Sequence, residues 1–185
     1  MNEQHNDDVM VMPEWEKFRA GFHIAVQAIM IKLKLLAKGR NYLFRALAGP
    51  SRRTSSGIAN VSGAYPSQKM GMTIGFESRT LEYARVIRNE TDTSVLGYVS
   101  QLPTLKISYK CQRTGRKITY LQRPDFLEIY EHGFDVVECK PLSELRRWEI
   151  ERPGFVYQHE NGEWRCPPAE AACVELGLNY RIICE

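Results

Sequence analysis

The hydrophobic pattern divides the chain into a helical first part and a second part in which strands and helices alternate. From Pro13-Glu14 onward, apolar residues recur at helical spacing as far as Leu36. This spacing predicts a long helix that Gly39 ends or bends, followed by a short helix over Asn41 to Ala48. The polar residues Met1 to Met12 before it are typical of a frayed terminus.

The middle of the chain, residues 51–75, is rich in Gly, Ser and Pro and has no clear period. We predict a linker here, in which Tyr65 to Lys69 form a lid or a loop that faces DNA. The next segment, Phe76 to Ala84, is predicted to be a helix with Glu77 in its first turn. An acidic residue at that position favours the helix dipole, so Glu77 has a structural interpretation beside a chemical one.

The second part contains a succession of short elements that predicts an α/β fold with a mixed sheet. A strand is predicted over Thr93 to Gln101, and strict alternation predicts a half-buried strand over Thr104 to Lys110. A turn at Gln112 to Gly115 then leads into a returning strand over Arg116 to Tyr130. The remaining predicted elements are, in order, a strand that Pro141 stops, a helix from Ser143 to about Pro153, a small hairpin around Asn161-Gly162, a helix over Ala169 to Leu176 and a strand over Tyr180 to Cys184.

Composition is that of an ordinary globular protein: 185 residues, 43% hydrophobic and 25% charged. This length permits one domain with an appendage, and a formal net charge of +3 does not by itself indicate nucleic-acid binding. The basic residues are clustered, however, and the clusters are either solvated surface or two phosphate-facing patches. They are Lys32, Lys34, Lys38, Arg40, Arg45, Arg52 and Arg53 in the first part, and Lys106, Lys110, Arg113, Arg116, Lys117 and Arg123 in the second.

The five cysteines are odd in number and form no CxxC pair, which favours reduced thiols and a location in the bacterial cytoplasm. A zinc site built from Cys166, Cys173 and His159 is conceivable, although its spacing matches no standard pattern. The apolar run of the first helix is too short for a membrane span, so no membrane partner is expected. Lying on a membrane surface remains an alternative to packing on the rest of the protein.

The candidate chemistry lies on two predicted strands joined by the turn Glu131-His132-Gly133. Asp125 is on the first strand, and Glu138 and Lys140 are on the second. Alternate residues of a strand point to the same side, so Glu138 and Lys140 share a face while Cys139 points away. Two carboxylates beside an ammonium suit a hard divalent cation such as Mg²⁺ and a phosphate. The pattern predicts a metal-dependent nuclease.

Several segments together resemble the N-terminal catalytic domain of the TnsA transposon endonucleases, in the PD-(D/E)xK superfamily. They are Tyr65 to Lys69, Phe76-Glu77-Ser78, Val95 to Tyr98, Gln101-Leu102-Pro103, Arg123 to Phe126, Glu138-Cys139-Lys140 and Leu178 to Glu185. The resemblance implies a restriction-endonuclease-like core with a central mixed sheet flanked by helices. We expect a helical extension over residues 1–50, a linker over 51–75 and the nuclease core over 76–185.

The resemblance also supplies expected roles for individual residues. Glu77, Asp125 and Glu138, with the backbone carbonyl of Cys139, are expected to hold one or two Mg²⁺ ions, for which Mn²⁺ substitutes. Lys140 is expected to orient the attacking water or to stabilise charge on the phosphate. Phosphate contacts are expected from three further residues, which solvation explains equally well: Lys69, Gln122 and Arg123.

The implied function is a DNA endonuclease that cuts transposon 5′ ends, with a DDE transposase and an AAA+ ATPase regulator as partners. The chain stops after the last core strand, where the family continues into a helical domain, and its helical arm does not match the family pattern. A stand-alone defence nuclease of the same fold is therefore an alternative. A non-catalytic scaffold that binds DNA or protein, and a nuclease that cuts RNA, are further alternatives.

Overall fold

A four-stranded mixed sheet lies at the centre of the computed structural model, which describes residues 14–49 and 62–184, with side chains from residue 21. The class is mixed α/β, as the alternating pattern predicted. The prediction for Met1 to Met12 lies outside the described residues. In chain order the elements are α1 (Glu14–Lys32), α2 (Ala37–Leu47), β1 (Gly63–Ser67), β2 (Met72–Phe76), α3 (Leu81–Thr91), β3 (Gly97–Ser100), β4 (Leu105–Lys110), β5 (Lys117–Gln122), β6 (Phe126–Tyr130), β7 (Gly133–Cys139), α4 (Leu142–Glu151), β8 (Tyr157–Gln158), β9 (Trp164–Arg165), α5 (Pro167–Val174) and β10 (Asn179–Ile183).

The central sheet has the order β10-β7-β6-β3. β6 and β7 form an antiparallel hairpin, β3 pairs antiparallel with β6, and β10 runs parallel to β7. Every residue of β6 and β7 is buried, which explains why both strands are almost continuously apolar. The polar residues within and next to this hairpin are therefore exceptions, and they mark the candidate site.

β4 and β5 form a separate antiparallel hairpin beside the central sheet. In β4, Leu105 and Ile107 are buried while Lys106 and Lys110 are exposed, so the predicted half-buried strand is confirmed. The single strand predicted over Arg116 to Tyr130 is wrong, because the segment forms two strands, β5 and β6, that belong to different sheets. Pro124 lies between these two strands, and proline has no N–H with which to continue a strand ladder.

The residues before α3 fold differently from the prediction. Residues 63–76 form the antiparallel hairpin β1–β2, so the predicted linker over 51–75 contains regular structure, and Phe76 ends a strand where a helix start was expected. Ile74 and Phe76 are buried in this hairpin. Frequent Gly, Ser and Pro concealed the alternation of its buried side chains. Helix α3 begins at Leu81, whose N–H donates to Ser78 Oγ at 3.3 Å.

The arm formed by α1 and α2 packs into the same core as the sheet, through buried side chains such as Val26, Met30 and Leu43. The break between its helices comes at Leu33 to Leu36, where Lys34 has a positive φ of 53°. The prediction that Gly39 ends or bends a helix is therefore wrong, because Gly39 lies buried inside α2. No helix in residues 14–49 or 62–184 is long and apolar enough to cross a membrane.

Gly39 is required by a close approach between α2 and the segment that follows α5. A Cβ atom at position 39 would lie 2.0 Å from the backbone carbonyl oxygen of Leu176. We expect Gly39→Ala to lower the free energy of unfolding by about 1–3 kcal/mol, because backbone must move to relieve the overlap. The measurement is urea unfolding followed by circular dichroism.

Gly21→Ala is the matched control for this substitution. Gly21 is also in a helix, but a Cβ there meets nothing within 4 Å. The control should leave stability unchanged or raise it by up to about 1 kcal/mol, since alanine is the better helix former. Equal stability of the two variants would contradict the close packing of α2.

Candidate active site

The β6–β7 hairpin places Asp125 opposite Glu138. Asp125 directly precedes β6, and its N–H donates to the carbonyl of Val137 at 3.1 Å. The register pairs Phe126 with Val137, so one step further along the strands Asp125 faces Glu138. The carboxylate of Asp125 is held by a further hydrogen bond, in which the N–H of Cys139 donates to its Oδ2 at 2.8 Å. The two predicted carboxylates therefore meet at one end of the sheet.

Lys140 joins this pair just beyond the end of β7. Its Nζ lies 2.6 Å from Oε1 of Glu138 and 3.5 Å from the carbonyl oxygen of Cys139. Its backbone N–H donates to Ile183 at 2.9 Å, which holds the residue against β10. The second oxygen of Glu138, Oε2, is buried and has no hydrogen-bond partner among the described residues. An acceptor oxygen in that position is available to a cation.

The pKa values of these groups reflect the crowding of like charges in a buried place. Burial raises the pKa of Asp125 well above its usual range, and the charges of Glu138 and Glu82 raise it further, while Lys140 opposes them. Burial likewise raises the pKa of Glu138, against the effect of Lys140. Burial would lower the pKa of Lys140, but Glu138 and Asp125 outweigh it and raise that pKa. A positive charge added here would be strongly stabilised.

A further carboxylate, that of Glu82 in the first turn of α3, acts on the pair of Asp125 and Glu138 through its charge. The side chain of Glu82 is 9% exposed, and burial raises its pKa. The charges of Lys140 and Glu138 also act on Glu82, as the charge of Glu82 does on Asp125. Sequence reasoning missed this residue. The signal was available, because Ser78 and Thr80 are typical of the residues that precede a helix and thereby place its start after Glu77.

Glu77, which was expected in a helix, lies in the loop between β2 and α3. Its backbone N–H donates to Oε2 of Glu82 at 2.7 Å, and its charge raises the pKa of Glu82. The structure thus places the backbone of Glu77 against Glu82, and the charge of Glu82 in turn raises the pKa of Asp125.

The position of Glu82 depends on a buried ion pair one turn further along α3. Glu128, completely buried on β6, accepts hydrogen bonds from Arg85 Nε at 2.5 Å and from Arg85 Nη2. It also accepts from Asn89 Nδ2 and from the hydroxyl of Tyr130, both at 2.9 Å. Glu82, Arg85 and Asn89 are spaced by three and four residues, so they share one face of the helix. The network therefore fixes the face of α3 that carries Glu82.

The three residues expected to contact phosphates have different surroundings. Gln122, at the end of β5, donates from Nε2 to the hydroxyl of Tyr180 at 2.9 Å, and it lines a pocket together with Glu138 and Lys140. Arg123 follows it and is exposed. Lys69 has its ammonium group within 2.6–2.8 Å of three backbone carbonyls, those of Asn89, Asp92 and Val95.

These three hydrogen bonds use all the donors of the Lys69 ammonium and close the C-terminal end of α3. Glu90, in the last turn of α3, accepts hydrogen bonds from the hydroxyls of Ser67 and Tyr98 at 2.6 and 2.8 Å. The structure therefore gives Lys69 a structural role at the end of α3, and its contact with phosphate stays a prediction.

The cysteines of the described residues are all free. Cys166 and Cys173 are buried, whereas His159 is exposed and bonded to Asn161 in the turn between β8 and β9. Within the described ranges, no three or more His, Cys, Asp or Glu side chains are already arranged to hold a metal ion.

The residues at the end of the β6–β7 hairpin nevertheless fit a hard cation in their chemistry. Asp125, Glu138 and Glu82 carry carboxylate oxygens, the type of ligand that Mg²⁺ and Mn²⁺ prefer. Glu138 also offers a buried oxygen without a hydrogen-bond partner in the described part of the chain. No family model matches the chain, and no curated protein matches it in sequence.

Proposed function

We propose that the protein is a metal-dependent endonuclease that hydrolyses phosphodiester bonds of DNA, with a restriction-endonuclease-like core. The observation that carries this proposal is the meeting of Asp125, Glu138 and Lys140 at the end of the β6–β7 hairpin. A buried and a half-buried carboxylate beside an ammonium destabilise a fold, and a site for a cation and a phosphate would explain why they are kept.

Asp125, Glu138 and Glu82 would hold the metal ion, with the carbonyl of Cys139 as a further oxygen ligand. When bound, Mg²⁺ supplies a Lewis acid at the phosphoryl oxygen and a bound water of lowered pKa. Glu77 would orient Glu82, since its N–H holds one carboxylate oxygen of that side chain.

Lys140 would act on the substrate as a fixed positive charge. Its ammonium stays protonated because the two carboxylates raise its pKa, and its place beside Glu138 would put it next to a phosphate bound at the metal ion. A cation held there stabilises the negative charge that develops on the phosphate during cleavage.

The surface around the site supports a nucleic-acid substrate. The β4–β5 hairpin carries an exposed row of basic residues, and its last residue, Gln122, lines the same pocket as Glu138 and Lys140. A phosphate backbone could therefore run along this hairpin toward the carboxylates. The exposed basic residues are Lys106, Lys110, Arg113, Arg116 and Lys117.

The proposal is tested by nicking of supercoiled plasmid. The unaltered protein should convert it to the open circular form with Mg²⁺ or Mn²⁺ and not with excess EDTA. Lys140→Met should lower the rate by on the order of 10²-fold, because the fixed charge at the phosphate is lost. Cleavage that persists in EDTA, or an unchanged rate in Lys140→Met, would refute the site.

A second prediction separates the two candidate helical carboxylates. Glu82→Gln should lower the nicking rate by on the order of 10²-fold. Glu77→Gln should lower it by less than about 10-fold, since the hydrogen bond of Glu77 to Glu82 comes from its backbone N–H, which the substitution keeps. Titration of the rate against Mg²⁺ provides the readout, and Glu82→Gln should require a higher Mg²⁺ concentration. A larger loss in Glu77→Gln would restore Glu77 as the metal ligand.

We further propose that the target is a transposon end, cut on the 5′ side together with a DDE transposase and an AAA+ ATPase. The four-residue site of Glu82, Asp125, Glu138 and Lys140 favours catalysis over the scaffold alternative. Repeating the nicking assay on an RNA of the same sequence, and with phage DNA, distinguishes the RNA-cleaving and defence alternatives.

A further inference from the structure

A pocket of about 230 Å³ opens directly beside the candidate active site. Glu138 and Lys140 form part of its wall, so a strand whose phosphate lies at these residues brings the adjoining nucleotide to the pocket. Another part of the lining comes from α4 and the loop after it, with Trp148, Arg152 and Phe155. The pocket therefore shares two residues with the site and extends from them to α4.

Part of the pocket lining is aromatic. The ring of Phe155 lies 5.8 Å from that of Trp148 and 5.6 Å from that of Tyr120, both in edge-to-face arrangements. Trp148 and Tyr120 are half-buried, so each keeps part of its ring surface accessible. A planar aromatic ligand could pack against such a surface.

Polar groups of the pocket lining match the hydrogen-bonding edge of a nucleobase and the negative charge of a nucleotide. The exposed guanidinium of Arg152 lies over the ring of Trp148, 5.1 Å from its centroid, and supplies positive charge at the pocket. The hydroxyl of Tyr120 is buried and has no hydrogen-bond partner among the described residues. An unpaired buried hydroxyl is costly, and a ligand with hydrogen-bonding edges would satisfy it.

We infer that this pocket takes one nucleobase of the bound strand, that of the nucleotide next to the scissile phosphate, turned out of the base stack. The inference rests on the proposed function, because the phosphate at Lys140 sets which nucleotide reaches the pocket. The base packs against Trp148, and the Tyr120 hydroxyl bonds its edge. A duplex must unstack to supply that base, so strands that are already unpaired bind more readily.

The test compares two single-stranded oligonucleotides of ten nucleotides, one of thymidines and one with the same backbone and no bases. Affinity is measured by fluorescence anisotropy with Ca²⁺ in place of Mg²⁺, and gels check that the strand stays intact. The base-bearing strand should bind roughly 5- to 100-fold more tightly, the effect of stacking one or more bases. Trp148→Leu should remove most of this difference while leaving the affinity for the base-free strand unchanged.

Two further variants keep the test decisive. Arg152→Gln alters an exposed side chain of the pocket whose guanidinium lies over the rings of Trp148 and Phe155, and it should reduce the difference between the strands severalfold even if Trp148→Leu folds poorly. Tyr157→Leu removes an exposed aromatic ring outside the pocket and should preserve the difference.

Equal affinity of the unaltered protein for both strands would overturn the pocket while leaving the nuclease in place. A loss in Tyr157→Leu as large as in Trp148→Leu would also overturn it, because stacking would then occur elsewhere on the surface. Failure to bind either strand, together with no nicking of plasmid, would reject the proposed function itself.

Discussion

Asp125→Asn is expected to reduce DNA nicking by on the order of 10³-fold or more, the largest effect on activity among the substitutions considered. The substitution removes one ionised ligand of the proposed metal ion and keeps the shape of the side chain. The remaining amide oxygen can still accept the hydrogen bond from the N–H of Cys139. Initial rates of plasmid nicking at saturating Mg²⁺ measure the loss.

The stability of Asp125→Asn should stay the same or rise. Burial and the charges of Glu138 and Glu82 disfavour the ionised carboxylate, so a neutral amide relieves repulsion in the metal-free protein. Glu131→Gln, which changes an exposed carboxylate in the turn of the same hairpin, is the matched control and should nick normally. Normal nicking by Asp125→Asn would remove the proposed site.

Arg85→Met is expected to lower the free energy of unfolding by about 3–5 kcal/mol, the largest stability effect predicted from the structure. Glu128 is completely buried, and the substitution leaves its carboxylate without the guanidinium that neutralises it. Asn89 and Tyr130 remain as donors but carry no charge. Urea unfolding followed by tryptophan fluorescence measures the loss.

Two comparisons show whether the loss of stability in Arg85→Met arises from the unpaired charge of Glu128. The double substitution of Arg85→Met with Glu128→Leu should recover most of the stability, because both charges are then absent. Arg147→Met breaks two exposed ion pairs of α4, at 3.9 Å each, and should cost less than about 1 kcal/mol. A double variant as unstable as Arg85→Met would mean that packing, rather than charge, is lost.

The parts of the fold that the sequence predicted well are those in which local pattern and final environment agree. The alternation of Leu105 and Ile107 with Lys106 is that of a strand with one buried and one exposed face, and β4 has this environment. The two apolar runs that became β6 and β7 likewise suit strands covered on both faces. The position of Gly39 within α2 was not predictable, because it depends on the carbonyl of Leu176, distant in the chain.

The residues of the candidate site likewise fall into those that local sequence predicts and those whose positions depend on the folded chain. Asp125, Glu138 and Lys140 could be brought together from sequence because one hairpin holds them and strand alternation sets their sides. Glu82 belongs to another element, and its position depends on how Arg85 and Asn89 hold α3 to Glu128 of β6. Lys69 could not be assigned either, since only the folded chain brings its ammonium to the last carbonyls of α3.

The buried hydrogen bonds of Arg85 and Asn89 with Glu128 restrict which substitutions the sequence can accept during evolution. Replacing any one of these residues removes a hydrogen-bond partner from the buried polar groups that remain. Substitutions at these positions are therefore expected to occur together or not at all. In an alignment of related chains these positions should covary, either as the polar set or as an apolar replacement of it. Because α3 rises about 1.5 Å and turns about 100° with each residue, the number of residues between Glu82 and Asn89 should also stay fixed, whereas the β4–β5 tip can vary in length.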